Sequence, residues 1–135
     1  MITICLTYRD RDINIVKNAL DSLKSQTNHE FEVFFIDYGS SKEYQKAIGK
    51  IIEEYDFINY YYFNTIHQLW NKSKAINFAL KQCKSNYFFV GDVDMIFRND
   101  FIEKLKKLKS DSEAVYFKVG YLSKEESSLK KDFSK

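Results

Sequence analysis

Two acids spaced i, i+2 carry the most chemistry in this chain. Asp92 and Asp94 follow a short apolar run, Tyr87-Phe88-Phe89-Val90-Gly91, which reads as a buried strand. Such a strand delivers both carboxylates to the carboxyl edge of a sheet, and in open α/β sheets that edge is where ligands bind. Paired carboxylates attract a hard divalent cation, Mn²⁺ or Mg²⁺, and a cation with open positions attracts a diphosphate. Carboxylates and phosphates repel, so acids at a phosphate site imply a bridging cation. That cation would neutralise charge building on a leaving diphosphate. The letters alone prove little, because Asp10-Arg11-Asp12 repeats the spacing. The earlier copy stands just before an amphipathic run and reads as a helix cap. The strand in front of the later copy is what sets it apart.

The elements that must position these acids alternate. Ile2 to Tyr8 is an apolar, β-branched first strand. Asp12 then caps a helix with Val16, Ala19, Leu20 and Leu23 at helical spacing, ending near Gln26. Glu32 to Asp37 is a second buried strand, and Gly39-Ser40-Ser41 turns into a second helix bearing Ile48, Ile51, Ile52 and Tyr55. Ile58 to Phe63 is a third strand. Asn71 or Ser73 caps a third helix with the stripe Ile76, Ala79, Leu80 and Cys83. The acid-bearing strand follows as a central strand of the sheet. Asn99 or Asp100 caps a fourth helix with Phe101, Ile102, Leu105 and Leu108, and Ala114 to Val119 reads as a fifth strand. This order implies βαβ units, right-handed crossovers and a Rossmann-like three-layer α/β/α fold with a mostly parallel sheet. Residues 1–122 form one domain and residues 123–135 a polar tail or connection.

Bulk properties narrow the class. At 135 residues the chain is one domain able to bury a core. A net charge of +2 is too mild to indicate nucleic-acid binding. Cys5 and Cys83 match no CxxC pattern and read as small apolar residues in a reducing compartment. No apolar run approaches the roughly 20 residues of a membrane span, and the start lacks a signal-peptide pattern. The expectation is a soluble, cytoplasmic protein, with a peripheral membrane contact through lysines left open. His29 and His67 lack ligand-spaced partners. The fingerprints GxGxxG and GxxxxGK[ST] are both missing, so phosphate must be held another way.

Four blocks in register then give a resemblance. They are Thr3 to Arg9, Phe34 to Ser41, Trp70 to Asn77, and Phe88 to Asp94. Together they resemble family-2 glycosyltransferases of the GT-A fold, bacterial polysaccharide and chondroitin-type synthases included, over about Ile2 to Leu108. The resemblance implies metal-dependent, inverting transfer of a sugar from a UDP-sugar donor to a hydroxyl of a glycan acceptor. It implies that Thr7 and Tyr8 lie against the base, with the Tyr8 ring as stacking face. Asp37 would accept from the uracil N–H, and Lys74 would approach the nucleotide or its phosphates. Asp92 would touch the ribose or the metal shell, Asp94 would ligate the metal, and Arg9 is a weaker candidate for the diphosphate.

Each residue also has a bland reading: Asp37 as a turn cap, Lys74 as a solvated helix charge, Tyr8 as core, Trp70 as packing. Leu6 stands where the family has Pro, and Tyr38 where it has a second acid. In the family the acceptor pocket and an acidic base follow the metal strand, and this chain reaches Lys135 without such a segment. Glu103, Glu113, Glu125 and Glu126 are not persuasive bases. The expectation is therefore a donor-binding half whose exposed surface favours self-association. Two alternatives follow from the same residues: an inactive transferase-like scaffold, and a receiver-like α/β domain in which Lys118 would end the fifth strand. A nucleotidyltransferase would need a Gly-rich loop after the first strand, which is missing.

Overall fold

The computed structural model describes residues 1–108. Four strands, β1 (Ile2–Tyr8), β2 (Phe31–Tyr38), β3 (Ile58–Phe63) and β4 (Tyr87–Asp92), form one sheet. Its order is β3-β2-β1-β4, and every pairing is parallel. Helices α1 (Ile13–Lys24), α2 (Lys42–Ile52), α3 (Lys72–Gln82) and α4 (Phe101–Lys107) alternate with the strands. The expected α/β alternation is thus present through α4. The expected strand over Ala114 to Val119, Lys118 and the 122/123 boundary lie outside the described residues.

Strand parity sorts the core. Ile2, Ile4, Leu6 and Tyr8 point to the face covered by Val16, Leu20 and Leu23 of α1, Ile48 and Ile52 of α2, and Ile102 of α4. Cys5, Phe34, Ile36 and Tyr38 point to the other face, against Ala75 and Ala79 of α3. Right-handed crossovers require this split. The chain runs outward from β1 to β3 with its helices on one face, then returns past β1 to β4 with α3 on the opposite face. Direction therefore reverses between β1 and β4, and such a switch point opens a crevice at the carboxyl ends of the strands. A receiver-like domain flanks its first strand with the second and third instead. Here β1 lies between β2 and β4, which rules that alternative out.

Among the described residues β4 pairs with β1, and Tyr87 and Val90 are exposed; the fifth strand expected after it lies outside them. Two local expectations differ. Leu80 was expected on the buried stripe of α3 but is exposed, because Ala75 and Ala79 are the residues turned to the sheet. At α4, Asp100 holds the cap position without a side-chain capping bond. That helix is anchored instead by Gln26, whose Oε1 accepts from Ile102 N at 3.0 Å and whose Nε2 donates to Arg98 O at 2.6 Å. Ser22 Oγ accepts from Phe97 N at 3.0 Å. Two buried polar residues, Ser22 of α1 and Gln26 just past its end, thus fix the segment that follows Asp94.

Candidate functional site

The cleft at the switch point is built from β1, β4 and the loops that leave them. Thr7 of β1 and Asp92 of β4 are register partners, which places the end of each strand beside the other. The chain then turns through Asp92–Met95, with Met95 N donating to Asp92 O at 3.2 Å. Val93 is driven into the core, and this leaves Asp94 in the same opening as Asp92. The result is a cleft of about 610 Å³ lined by Thr7, Arg9, Asp10, Arg11, Trp70, Lys72, Asp92, Val93 and Asp94.

Electrostatics here is paired. Lys72 Nζ donates to Asp92 Oδ1 at 2.7 Å, and Arg11 Nη2 donates to Asp94 Oδ2 at 3.0 Å. All four side chains are roughly half exposed, so the pairs are screened and contribute little to stability. Their effect is to put two carboxylates and two cations within one opening. Among the described residues no cluster of three or more His, Cys, Asp or Glu could hold a metal by itself. Two exposed carboxylates nonetheless suit Mg²⁺ or Mn²⁺, which take one or two protein carboxylates and complete the shell with water and phosphate oxygens. The two carboxylates are of a type and exposure that fit such a cation.

Not every expected residue joins the cleft. Tyr8 is fully buried, packs on Phe35 with ring centroids 5.4 Å apart, and donates its hydroxyl to Arg11 O at 2.9 Å. It offers no open face for stacking, because its strand parity is that of Ile4 and Leu6. Asp37 is also fully buried: Oδ1 accepts from Ser40 N at 3.0 Å and Oδ2 from the Tyr60 hydroxyl at 2.7 Å. Burial raises its pKa, against the lowering by the Ser40 and Tyr60 bonds, and the Asp10 charge adds to the rise. A base N–H would have to open this arrangement to reach Asp37. Burial first, and Asp37 second, push the Tyr60 phenol up.

Lys74 is exposed and outside the cleft lining, and Lys72 takes the place expected for it. The reason is the cap. Asn71 Oδ1 accepts from Lys74 N at 3.0 Å, so Lys72 opens the first turn, and Lys74 points about 200° further round the helix. Arg9 lines the cleft, but its guanidinium is spent on the loop after β3. Nη1 donates to Gln68 O at 2.7 Å and Nη2 to Ile66 O at 2.9 Å.

Arg11 and Lys72 were missed by sequence reasoning, as was the placement of Asp10 and Trp70. Asp12 does cap α1, accepting from Asn14 N and Ile15 N, but Asp10 and Arg11 turn into the opening. Asp10 has φ 50°, and its Oδ1 accepts from Ser41 N at 2.9 Å. No local signal marked Arg11 or Lys72, because their acids lie 83 and 20 residues further along the chain. A second depression, about 480 Å³, lies at the amino ends of the strands, lined by Glu32, Tyr61, Lys84 and others. It holds no paired acids.

Burial pushes the Cys5 thiol up to about 12, with the Lys72 charge opposing, and Cys5 and Cys83 are free thiols. No helix among the described residues is long and apolar enough to cross a membrane.

Comparison with known proteins gives a consistent result. The sequence profile described as Glycosyl transferase family 2 matches residues 3–132. The chain is 26% identical over 93 residues to a teichoic acid poly(glycerol phosphate) polymerase of Staphylococcus epidermidis, an alignment covering 69% of this chain and 12% of that protein. Among solved structures, mannosyltransferase PcManGT of Pyrobaculum calidifontis, in complex with GDP-Man and Mn²⁺, superposes with a TM-score of 0.69 at 18% identity. That match covers 82% of this chain and 32% of the other. S. aureus TarS 1-349 in complex with UDP-GlcNAc superposes with a TM-score of 0.66 at 19% identity, over 78% and 30%. These likenesses show a shared GT-A fold. The chain spans about an eighth of the polymerase and a third of each structure.

Proposed function

This chain belongs to glycosyl transferase family 2, and from that premise we propose that its switch-point cleft binds the diphosphate of a nucleotide-sugar donor together with a divalent cation. The observation that carries the reading is the convergence of Asp92, Asp94, Arg11 and Lys72 at the carboxyl ends of β1 and β4. Asp92 and Asp94 would hold Mn²⁺ or Mg²⁺, which when bound supplies Lewis-acid stabilisation of a departing nucleoside diphosphate. Arg11 and Lys72 already lie within hydrogen-bond distance of the acids, so rotation of either side chain brings its cation onto phosphate oxygens. Thr7 lines the same opening from β1 and orients the nucleotide.

The donor in this reading is a UDP-sugar, and the reaction is inverting transfer to a glycan hydroxyl in bacterial polysaccharide biosynthesis. The solved relative with UDP-GlcNAc and the teichoic acid polymerase support that choice. Residues 1–122 form the donor-binding domain. Lys74 and Asp37 keep supporting roles, Lys74 approaching the nucleotide from outside the lining and Asp37 holding the turn after β2 through Ser40. No described residue is assigned as the base that deprotonates the acceptor.

Calorimetric titration of UDP tests the reading. Binding with Mn²⁺ present, lost on chelation and in the Asp92→Asn/Asp94→Asn double variant, is the expected outcome. Equal affinity with and without the cation would refute the cation's role. No binding at millimolar UDP would refute the donor site.

A further inference from the structure

We propose that Trp70, presented by a loop that Arg9 clamps, is the face on which the donor's nucleobase stacks. The inference rests on the reading of the cleft as a nucleotide-sugar site. Tyr8, the ring expected to serve, is sealed in the core. Trp70 is the one aromatic residue among those lining the cleft, and 44% of it is exposed.

The loop that carries it is built rather than loose. Thr65 packs against Gly39, whose missing side chain makes the approach fit: a Cβ there would lie 2.7–2.9 Å from Thr65 atoms. The Arg9 fork takes the carbonyls of Ile66 and Gln68. Asn71, next to Trp70, caps α3. The indole meets the Tyr38 ring edge-on, with centroids 6.0 Å apart and planes at 78°. Four anchors thus hold an indole that is still half open.

Position selects the base over the sugar. Trp70 leans on Tyr38, at the end of β2, whereas Asp92 and Asp94 stand at the end of β4. β1 separates the two strands, so the span is two strand spacings, about 10 Å. That distance matches the reach from a cation-bound diphosphate through a ribose to its base. The sugar leaves from the other end of the diphosphate and points away from Trp70. Stacking of this kind tolerates any base, because every base has a π-face.

The test is calorimetric titration of UDP and of inorganic pyrophosphate, both with Mn²⁺, into the full chain and its Trp70→Leu and Trp70→Phe variants. UDP affinity should fall roughly five- to a hundredfold in Trp70→Leu, the range for losing one base–aromatic stack. Trp70→Phe should keep most of it, and pyrophosphate, which has no base, should bind all three chains within about twofold. Trp70 is the only tryptophan in the chain. Its fluorescence in the wild type should therefore respond to UDP and not to pyrophosphate, a readout that holds even if Trp70→Leu fails to fold. UDP binding unchanged in Trp70→Leu would overturn the inference and leave the donor site standing. An equal loss of pyrophosphate would also overturn it, since Trp70 would then only shape the loop. A wild type that binds neither ligand would remove the donor site and the inference with it.

Discussion

Replacing Gly39 with Ala should destabilise the protein through two separate effects at one atom. Gly39 has φ +90°, where a side chain is strained, and the added Cβ would sit 2.7 Å from Thr65 Oγ1, 2.8 Å from its carbonyl carbon and 2.9 Å from its carbonyl oxygen. Thr65 cannot simply withdraw. Its N donates to Phe63 O at 2.8 Å, Arg9 holds the loop beyond it, and the Tyr62 hydroxyl donates to Ser40 O at 3.1 Å across the same turn. The left-handed backbone costs about 1–2 kcal/mol and the overpacking about 1–3 kcal/mol, roughly 2–5 kcal/mol together. At about 4 °C per kcal/mol for a domain of this size, thermal melting should fall by roughly 8–20 °C.

Gly49 supplies the control, since it lies inside α2 and an added Cβ meets nothing within 4 Å. Gly49→Ala should raise the melting temperature by about 2–4 °C, from about 0.5–1 kcal/mol of helix propensity. Melting followed by circular dichroism separates the two signs. A Gly39→Ala protein that melts within about 2 °C of wild type would refute the reasoning. So would a Gly49→Ala protein that loses as much as Gly39→Ala.

Two further predictions concern buried polar groups. Gln26→Leu should cost roughly 1–3 kcal/mol, because it leaves Ile102 N and Arg98 O without their partner while Ile102 stays buried; urea unfolding that shows no change in midpoint would contradict this. Asp37→Asn should change the pH dependence of stability. The folded carboxyl titrates above its ordinary value, so the native state binds more protons than the unfolded chain just above that value. The wild type therefore loses stability as pH rises from about 4 through the folded pKa, and Asp37→Asn lacks that loss. Thermal melts from acid to neutral pH should show the variant gaining on the wild type, and parallel curves would exclude the effect.

The strands were legible because each is a β-branched or aromatic run bounded by turn residues, and Asp12 and Asn71 could be read as caps from position alone. Tyr8 shows a signal that was present and outweighed. The alternation Ile2, Ile4, Leu6 already put it on the core face, but the family pattern suggested a stacking ring. Lys72 and Lys74 show a finer limit, since which of two lysines reaches Asp92 depends on the residue at which the helix begins. Arg11, Trp70 and Gln26 were not legible, for a different reason. Arg11 and Trp70 come from loops, and Gln26 acts through partners 72 and 76 residues away. Their roles follow from where the sheet brings distant segments together, and local periodicity carries no record of that.

Crystals of the chain grown with UDP and MnCl₂, and an anomalous difference map at the manganese edge, test the central claim most directly. The account predicts a manganese peak between the carboxylates of Asp92 and Asp94, touching a diphosphate whose other oxygens meet Arg11 or Lys72. Manganese away from both acids, or nucleotide seated in the amino-end depression near Glu32 and Lys84, would contradict it.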